Sequence, residues 1–437
     1  MPRNEKPTAN GPAADYAPDR MVSRRRFLAG TVSLAGLAAT TMMIPRLHAQ
    51  EVTPPEDPMR VPGALPRPYG DRSPFVKSAR VGGAGPGAPH GWGENAPNNF
   101  NSWTPLQDLH GIVTPSSLHF ERHHNGVPLI DPARHRLLIH GLVNRPMIFS
   151  LDELERFPAV SRIAFLECSG NSHDLWLPNA PDFTVQDTHG LTSTSEWTGV
   201  KLSTLLEAVG VQRGASWMLA EGSDAAGMDR SVPLTDEVLQ EAMICYGQNG
   251  EALRPEQGYP LRLFLPGYEG NINVKWLRRL KLGAAPFMTR EETSKYTDLM
   301  PDGKAYQFSL VMEAKSVITS PSGRQQIHPG FHEIRGLGWS GRGRVTKAEV
   351  SVDGGRTWQP ARLQEPILPK CHTRFLLPWR WNGQEAVLQS RCTDETGYVQ
   401  PTRQELVKVR GTKSVFHYNA IQSWGVERDG RVRHIYA

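Results

Sequence analysis

The stretch Phe165-Leu-Glu-Cys-Ser-Gly-Asn171 is an apolar strand that ends at a cysteine and then enters a Gly-Asn loop. Loops at the ends of strands are where binding and catalytic residues collect. Cys168 in this position is either a small buried apolar side chain or, as a thiolate, a ligand for a metal that prefers sulfur. The spacing of the residues alone leaves both interpretations open.

The segments on either side of this stretch alternate between strands and short helices. Strand-like runs at 136–140 and 162–166 alternate with amphipathic helices at 150–156 and 202–209. Ser150 followed by Glu153 fits a capping box, which marks a helix start. The pattern predicts a mixed α+β domain over residues 105–300.

The second half of the chain has short strands separated by turn signals. Residues 345–352 alternate between apolar and polar side chains and meet Asp353-Gly354-Gly355, which indicates a hairpin. Two further strand-like runs lie on either side of Asn382-Gly383. We therefore expect an immunoglobulin-like β-sandwich over residues 310–437, after a linker near 300–312.

Composition excludes several classes of protein. The chain has 437 residues, 38% of them hydrophobic and 21% charged, with a mean hydropathy of −0.44. These values argue against an integral membrane protein and against a disordered chain. The net charge is +5, but residues 1–49 carry +4 of it, so the remaining 388 residues carry only +1. A nucleic-acid-binding surface is not expected, because the body of the chain has no strong positive field.

The N-terminal segment has the features of an export signal. Paired arginines in Ser23-Arg24-Arg25-Arg26-Phe27-Leu28 precede a weakly apolar stretch at 29–44 and the small-residue site Leu47-His48-Ala49. An anchor helix is the alternative, but the apolar stretch is shorter than the roughly 20 residues that span a bilayer. We predict a twin-arginine signal peptide over 1–49, cleaved near Ala49, and a periplasmic protein. That route exports folded proteins and suits those whose cofactor is inserted in the cytoplasm, so the leader is a first indication that a cofactor is to be expected.

Residues 50–104 are predicted to form an extended arm. Residues 51–100 contain ten prolines and eight glycines, so few helices or strands are expected there.

The cysteines and histidines exclude several metal sites. The four cysteines lie at 168, 245, 371 and 392, and none forms C-x-x-C or C-x-x-C-H, which argues against zinc ribbons, iron–sulfur clusters and a covalently bound haem. Cys371 and Cys392 either pair across the second domain or stay free. Six histidines lie between His110 and His140, but none forms H-E-x-x-H, so protein-ligated zinc is not expected.

Several ordered motifs resemble those of the sulfite oxidase family of molybdenum enzymes. They are Cys168-Ser-Gly-Asn171 (C-x-G-N in the family), Phe120-Glu-Arg-His-His124 (F-x-R-N-H), Tyr259-Pro-Leu-Arg262 (F-P-V-R), Asn273-Val-Lys-Trp276 (H-V-K-W), Ser351-Val-Asp-Gly-Gly-Arg-Thr-Trp358 and Pro378-Trp-Arg-Trp381. The last two resemble the family's dimerisation domain. Within the family, the Cys-Ser-Gly-Asn loop, residues 292–298 and the leader most resemble the sulfane dehydrogenase branch, the molybdenum subunits of periplasmic thiosulfate-oxidising systems.

The resemblance implies a molybdenum–molybdopterin cofactor and no haem in this chain. Cys168 would be the molybdenum ligand, and Arg122 and Tyr296 would be catalytic residues beside it. The residues implied to hold the cofactor are Phe120, Glu121, Arg122, His123, His124, Asp224, Gln257, Arg262, Asn273, Val274 and Lys275. Arg410 resembles a substrate-binding arginine near the C-terminus of the family.

One departure bears on the substrate. Sulfite oxidases usually have arginine directly after C-x-G-N, and here that position is Ser172. One cation fewer favours sulfur carried on a partner protein's cysteine over the free sulfite dianion. The resemblance thus implies oxidation of carrier-bound sulfane sulfur, with electrons passed to a c-type cytochrome subunit.

Other readings of the sequence remain. Within the same class, the chain would be a sulfite dehydrogenase acting on free sulfite. In a different class, it would be a cofactor-free periplasmic binding or adhesion module. The expected partners of the enzyme are the cytochrome subunit, a sulfur-carrier protein and a second copy paired through the sandwich domain, with no nucleic acid and no membrane.

Overall fold

The computed structural model describes residues 65, 67–82 and 100–437. The predicted signal peptide, and most of the predicted arm, lie outside these residues. The chain divides into two units, Met1–Arg72 and Ser73–Ala437. In the described part of the first unit, Arg67 Nε lies 3.1 Å from the Asp71 carboxylate.

Two five-stranded sheets build the first half of the second unit. The strands are β1 (Phe100–Ser102), β2 (Glu121–His123), β3 (Leu137–Gly141), β4 (Met147–Phe149), β5 (Ala159–Glu167), β6 (Thr192–Lys201), β7 (Trp217–Gly222), β8 (Asp229–Pro233), β9 (Met243–Gln248), β10 (Glu251–Ala252), β11 (Arg262–Phe264), β12 (Leu277–Gly283), β13 (Asp298–Leu299) and β14 (Ala305–Tyr306). One sheet has the order β10-β9-β6-β5 with β11 on β9, and the other has the order β4-β3-β12-β7-β8. The pairs β1–β2 and β13–β14 are separate.

Short helices connect these strands. They are α1 (Leu151–Leu154), α2 (Val185–His189), α3 (Leu202–Val209), α4 (Asp236–Glu241) and α5 (Arg290–Ser294), with 3₁₀ turns at Ser116–Leu118, His173–Trp176, Pro255–Gln257 and Gly270–Ile272. The predicted capping box is confirmed, because the Ser150 side chain accepts from the Glu153 backbone N–H and Glu153 accepts from the Ser150 N–H. Leu202, Leu205, Leu206 and Val209 form the buried face of α3.

The structure confirms the mixed α+β prediction for the first half of the second unit. It also confirms the β-sandwich that the sequence predicts for the second half. The second half holds β15 (Lys315–Ser320), β16 (Gly330–Trp339), β17 (Val345–Ser351), β18 (Gln359–Gln364), β19 (Thr373–Trp381), β20 (Ala386–Asp394), α6 (Arg403–Arg410), β21 (Ser423–Val426) and β22 (Val432–Ile435). The strand order is β15-β16-β19-β18-β17-β20-β21-β22. The first half of β18 pairs with β17 and the second half pairs with β19. This strand therefore passes from one sheet of the sandwich to the other.

The turn residues act as the sequence suggests, with one difference. The hairpin predicted at Asp353-Gly354-Gly355 is confirmed, because β17 and β18 pair antiparallel across it. Asn382-Gly383 instead joins β19 and β20, which pair with different neighbours. Cys371 and Cys392 are free, buried thiols, so no disulfide joins them.

Two large hydrophobic clusters support this architecture. One lies between the sheets of the first half and includes Leu137, Leu206 and Leu280. A second fills the sandwich around Trp339 and Trp424 and also contains Phe165 from β5, so the two halves share a core. In the described part of the chain, no helix combines the length and apolar character needed to cross a bilayer.

Candidate active site

A pocket of about 670 Å³, part of it open to solvent, brings the predicted site residues together. Its lining contains twelve of the thirteen predicted residues: Phe120, Arg122, His123, His124, Cys168, Asp224, Gln257, Arg262, Asn273, Val274, Lys275 and Tyr296. These residues come from β2, the end of β5, the β7–β8 turn, the segment from 257 to 275 and the residues after α5. Segments far apart in sequence thus converge on one concave site.

We call Cys168, Arg122, His124 and Tyr296 the thiol side of the pocket. Cys168 lies at the end of β5, where its N–H donates to Leu191 O at 3.0 Å and its carbonyl accepts from the Asn171 N–H at 2.9 Å. Desolvation raises the pKa of the Cys168 thiol, and the Arg122 guanidinium opposes that rise. A bound metal cation favours the thiolate, so ligation and deprotonation support each other here.

The cysteine loop is held by a buried ion pair between Glu167 and a lysine from the second half of the chain, Lys315. Lys315 Nζ donates to Glu167 Oε1 at 2.9 Å, and Trp339 Nε1 donates to Glu167 Oε2 at 2.7 Å. Asn171 Nδ2 donates to the same carboxylate at 2.9 Å. Because Glu167 directly precedes Cys168, the sandwich domain fixes the position of the thiol.

Arg122, His124 and Tyr296 form a hydrogen-bonded chain. Arg122 Nη2 lies 3.0 Å from His124 Nδ1, and His124 Nε2 lies 3.0 Å from the Tyr296 hydroxyl. Burial, with a smaller contribution from Arg122, lowers the pKa of His124 to about 3, so this imidazole is neutral. Burial also raises the pKa of Tyr296 well above its usual range, so the phenol keeps its proton.

We call Asp224, Gln257, Arg262 and Lys275 the cation side. Arg262 is 1% exposed and donates to Gln257 O at 3.0 Å and to Asn273 O at 3.2 Å, while its Nε has no partner. Lys275 Nζ donates to two backbone carbonyls, Arg122 O and Glu256 O, each at 2.9 Å. Burial lowers the pKa of Arg262 to about 10 and that of Lys275 to about 7. Enclosed cations bonded mainly to neutral carbonyls fit an anionic ligand such as a phosphate.

Two of the residues that the resemblance implies lie outside the pocket lining. Glu121 is the one predicted cofactor residue outside the pocket lining, because Arg80 at 3.1 Å and His123 Nδ1 at 3.0 Å engage its carboxylate. Arg410 also lies outside the lining, in ion pairs with Asp298 at 3.1 Å and Glu313 at 3.4 Å.

Five lining residues were not predicted: Leu166, Met228, Gly270, Asn271 and Trp276. Trp276 belongs to the Asn273-Val-Lys-Trp276 motif and Leu166 to the strand that ends at Cys168, so their place beside predicted residues was an available signal. A Cβ on Gly270 would lie 2.8 Å from Glu167 O and 3.2 Å from Cys168 Cα, so only glycine fits beside the cysteine. Asn271 has a buried Oδ1 without a partner. No local pattern marks it, because a 3₁₀ turn brings it to the pocket.

The residues present fit a molybdenum–molybdopterin cofactor. Among the described residues, no group of three or more His, Cys, Asp or Glu side chains is arranged to hold a metal ion. A metal at Cys168 would take its further ligands from the chelating sulfur atoms of the pterin cofactor. The unpartnered Arg262 Nε and Asn271 Oδ1, with the cation side, offer the hydrogen-bonding groups that a phosphate-bearing pterin requires.

Comparisons with known proteins agree with this geometry. The model of the oxidoreductase molybdopterin binding domain matches residues 124–291, and that of the Mo-co oxidoreductase dimerisation domain matches residues 307–423. The chain is 30% identical over 356 residues to the sulfite oxidase of Gallus gallus, which covers 76% of this chain and 78% of that protein. It is 32% identical over 353 residues to an NADH nitrate reductase of Solanum lycopersicum, which covers 70% of this chain but only 38% of that protein.

A solved structure is also similar over nearly its whole length. The crystal structure of the sulfane dehydrogenase SoxCD from Paracoccus pantotrophus matches with a TM-score of 0.81 and 44% sequence identity, over 85% of this chain and 94% of that chain. The similarity thus includes both the pocket and the sandwich. With its cysteine loop, its enclosed cations and these matches, the chain belongs to the sulfite oxidase family of molybdopterin-binding oxidoreductases.

Proposed function

We propose that the chain is a sulfane dehydrogenase, which oxidises sulfane sulfur carried on the cysteine of a partner protein and passes the electrons to a c-type cytochrome subunit. The family gives the coarser activity, that of a molybdopterin-dependent oxidoreductase. The finer choice of substrate rests on the charges around the thiol.

The observation that supports this substrate is that the other cationic side chains near the thiol side are paired with carboxylates. Carboxylates neutralise them: Arg230 lies 3.1 Å from Glu269, Lys315 2.9 Å from Glu167, and Arg410 3.1 Å from Asp298. His417 lies between Glu269 at 3.3 Å and Glu313 at 3.5 Å. Of the four described residues that form the thiol side, Arg122 is the one that brings a positive charge to the pocket lining.

A free dianion and a carrier-bound sulfur chain differ in the charge that must be desolvated. Sulfite needs more than one cation to offset the loss of its hydration, whereas a persulfide carries a single charge. Ser172, at the position where sulfite oxidases usually have arginine, is buried and adds no charge. The site is therefore better suited to the monoanion.

The roles of the chain's own residues follow from their positions. Cys168 would hold the metal, and Arg262 and Lys275 would bind the pterin phosphate. When bound, the molybdenum cofactor supplies two-electron chemistry with transfer of an oxo group. Arg122 would bind the growing anionic sulfur–oxygen group, and the Tyr296 phenol would donate a hydrogen bond to a reacting oxygen.

The electrons must leave through another protein. The sequence has neither a haem attachment motif nor an iron–sulfur cysteine spacing, so an external one-electron carrier has to accept them. We assign this role to a c-type cytochrome subunit and place the complex in the periplasm, in keeping with the twin-arginine pattern. The sandwich at 310–437 would pair two copies about a two-fold axis, and 105–300 would be the catalytic domain.

The test compares two sulfur donors with the same acceptor. Protein from a molybdenum-replete host is assayed for reduction of cytochrome c with a carrier protein bearing a persulfide and with free sulfite. We expect kcat/KM for the carrier-bound donor to exceed that for sulfite by at least about tenfold, the effect of one missing charge contact. Faster turnover of free sulfite would overturn the proposal in favour of a sulfite dehydrogenase. The cofactor-free module is not favoured, because molybdopterin and Mo-co domain models match 124–291 and 307–423.

A further inference from the structure

The ring of Tyr296 is held by a segment of the second half of the chain. Phe416, which follows α6, packs against it with ring centroids 5.3 Å apart and an interplanar angle of 40°. The Arg230 guanidinium lies 5.0 Å from the centroid of the same ring. With His124 on the hydroxyl, the phenol has partners on its ring and at its polar end.

The segment that carries Phe416 is anchored on both sides. Ser414 Oγ donates to Asp298 Oδ1 at 2.8 Å, and the His417 N–H donates to Ser169 O at 2.9 Å, one residue past Cys168. His417 has a left-handed φ of +56°, which a residue other than glycine keeps only when its surroundings hold it. The fold thus fixes the Phe416 side chain next to the cysteine loop.

An open space at Gly170 separates Phe416 from the thiol. A Cβ built on Gly170 would lie 3.9 Å from Cys168 Sγ and 3.9 Å and 4.0 Å from two ring carbons of Phe416. These are ordinary contact distances, and Gly170 does not have a positive φ, so neither sterics nor backbone conformation requires glycine here. The missing side chain leaves room between a sulfur atom and an aromatic ring.

We propose that Phe416, which lies outside the pocket lining but packs on the lining residue Tyr296, is a specificity-determining residue. It makes the approach to the thiol side apolar and favours a protein-bound sulfur chain over a free, doubly charged oxyanion. This inference rests on the proposed function and names the side chain that makes the selection.

Two physical effects act in the same direction. Divalent sulfur makes favourable contacts with the edges of aromatic rings, so a sulfur chain attached to a cysteine gains from Phe416. An apolar ring offers no hydrogen bond to an oxyanion and removes water from it, and the cost of that desolvation rises steeply with charge. Phe416 therefore stabilises the carrier-bound donor and disfavours sulfite.

The experiment uses the cofactor-loaded full-length protein and the variants Phe416→Ala, Phe416→Leu and Phe416→Arg. Phe331→Ala serves as the matched control, because Phe331 lies on β16 and is 67% exposed. For each variant, kcat/KM is measured with persulfide-bearing carrier protein and with sulfite. Binding of inorganic sulfate, an unreactive dianion, is measured by calorimetry.

We expect Phe416→Ala to lower kcat/KM for the carrier-bound donor about two- to tenfold, the range that corresponds to one sulfur–aromatic contact. Phe416→Leu should lose the same contact while keeping the rim apolar, so its sulfate affinity should match that of the wild type. Phe416→Arg should bind sulfate about tenfold more tightly and shift the preference toward sulfite, because it adds a cation beside Tyr296 and the cysteine loop. Phe331→Ala should change none of these values.

Two failures are distinguishable. If the wild type oxidises the carrier-bound donor but the donor preference and sulfate affinity stay within twofold in Phe416→Ala and Phe416→Arg, Phe416 does not set specificity and this inference is wrong. If the wild type turns over only free sulfite, the proposed function fails and the role of Phe416 fails with it.

Discussion

The hydroxyl oxygen of Tyr296 lies 3.0 Å from Nε2 of His124, whose Nδ1 lies 3.0 Å from Nη2 of Arg122. A guanidinium only donates hydrogen bonds, so Nδ1 must accept. The neutral imidazole therefore carries its proton on Nε2, and this N–H donates a hydrogen bond to the Tyr296 oxygen. The phenolic hydrogen is left without a partner on this side and is available to a reacting oxygen in the pocket.

Removal of the Tyr296 hydroxyl tests that role. Tyr296→Phe should lower kcat about 100-fold, as expected for loss of one positioned proton donor, with a smaller change in KM. Because burial raises the pKa of Tyr296 well above its usual range, the wild-type rate should show no loss from phenol ionisation up to about pH 10. Steady-state kinetics from pH 6 to 10 measure both effects. Tyr306→Phe, on the exposed β14 hairpin, is the control, and an equal loss there would contradict this role.

The hydrogen bond between His124 and Tyr296 predicts coupling of the two side chains. His124→Leu should lower kcat, and the double variant with Tyr296→Phe should lose less than the product of the two single effects. The coupling free energy should be about 0.5–3 kcal/mol, the range for side chains in one network. A double-mutant cycle on kcat measures it, with His332→Leu on β16 as the uncoupled partner. Multiplicative losses for His124 and Tyr296 would show that His124 does not act through the phenol.

Lys275 should matter for the cofactor rather than for folding. Burial and the neighbouring Arg262 lower its pKa to about 7, so its positive charge is costly until an anion arrives. Lys275→Met should reduce the molybdopterin content of purified protein about tenfold or more, while the cofactor-free variant unfolds at the same temperature as the cofactor-free wild type or higher. Pterin fluorescence and calorimetry give the two readouts. Full pterin content in Lys275→Met, with Lys281→Met as the surface control, would remove Lys275 from the phosphate site.

His417 predicts a pH dependence of stability. Its carboxylate neighbours Glu269 and Glu313 outweigh the effect of burial and raise its pKa from 6.5 to about 10. A raised pKa means that the folded protein binds the proton more tightly, so the stabilisation is complete below pH 6.5 and is lost as pH rises toward 10. The free energy of unfolding, measured by denaturant titration, should fall with a steeper slope over this window in the wild type than in His417→Gln. Equal slopes would contradict the ion pairing, and His332→Gln should retain the wild-type slope.

The sequence predicts the parts of the fold and of the site that lie in short local patterns. The strand that ends at Cys168 and the capping box at Ser150 depend on neighbouring residues, and both are present in the structure. The motif residues Arg122, Lys275 and Tyr296 do line one pocket, although 174 positions separate the first from the last. Their convergence was expected only because the family resemblance supplied it.

The rest depends on tertiary contacts without a local pattern. Glu121 lies within a predicted motif, yet Arg80, from a proline-rich stretch, takes up its carboxylate. Arg410 directly precedes a glycine, as in the motif it resembles, but it pairs with Asp298 and is not part of the pocket lining. Asn271 reaches the pocket lining, and Phe416 reaches the Tyr296 ring, from loops whose paths are set by long-range ion pairs and packing. No periodicity or spacing in the chain encodes those paths.

Ligation of molybdenum by Cys168 is the central claim, and X-ray absorption at the molybdenum edge tests it most directly. Molybdenum-loaded wild type is compared with Cys168→Ser and with Cys371→Ser, which alters a buried cysteine outside the pocket lining. We predict that molybdenum in Cys168→Ser has one sulfur neighbour fewer than in the wild type, and that Cys371→Ser matches the wild type. An unchanged number of sulfur neighbours in folded, molybdenum-loaded Cys168→Ser would contradict the account.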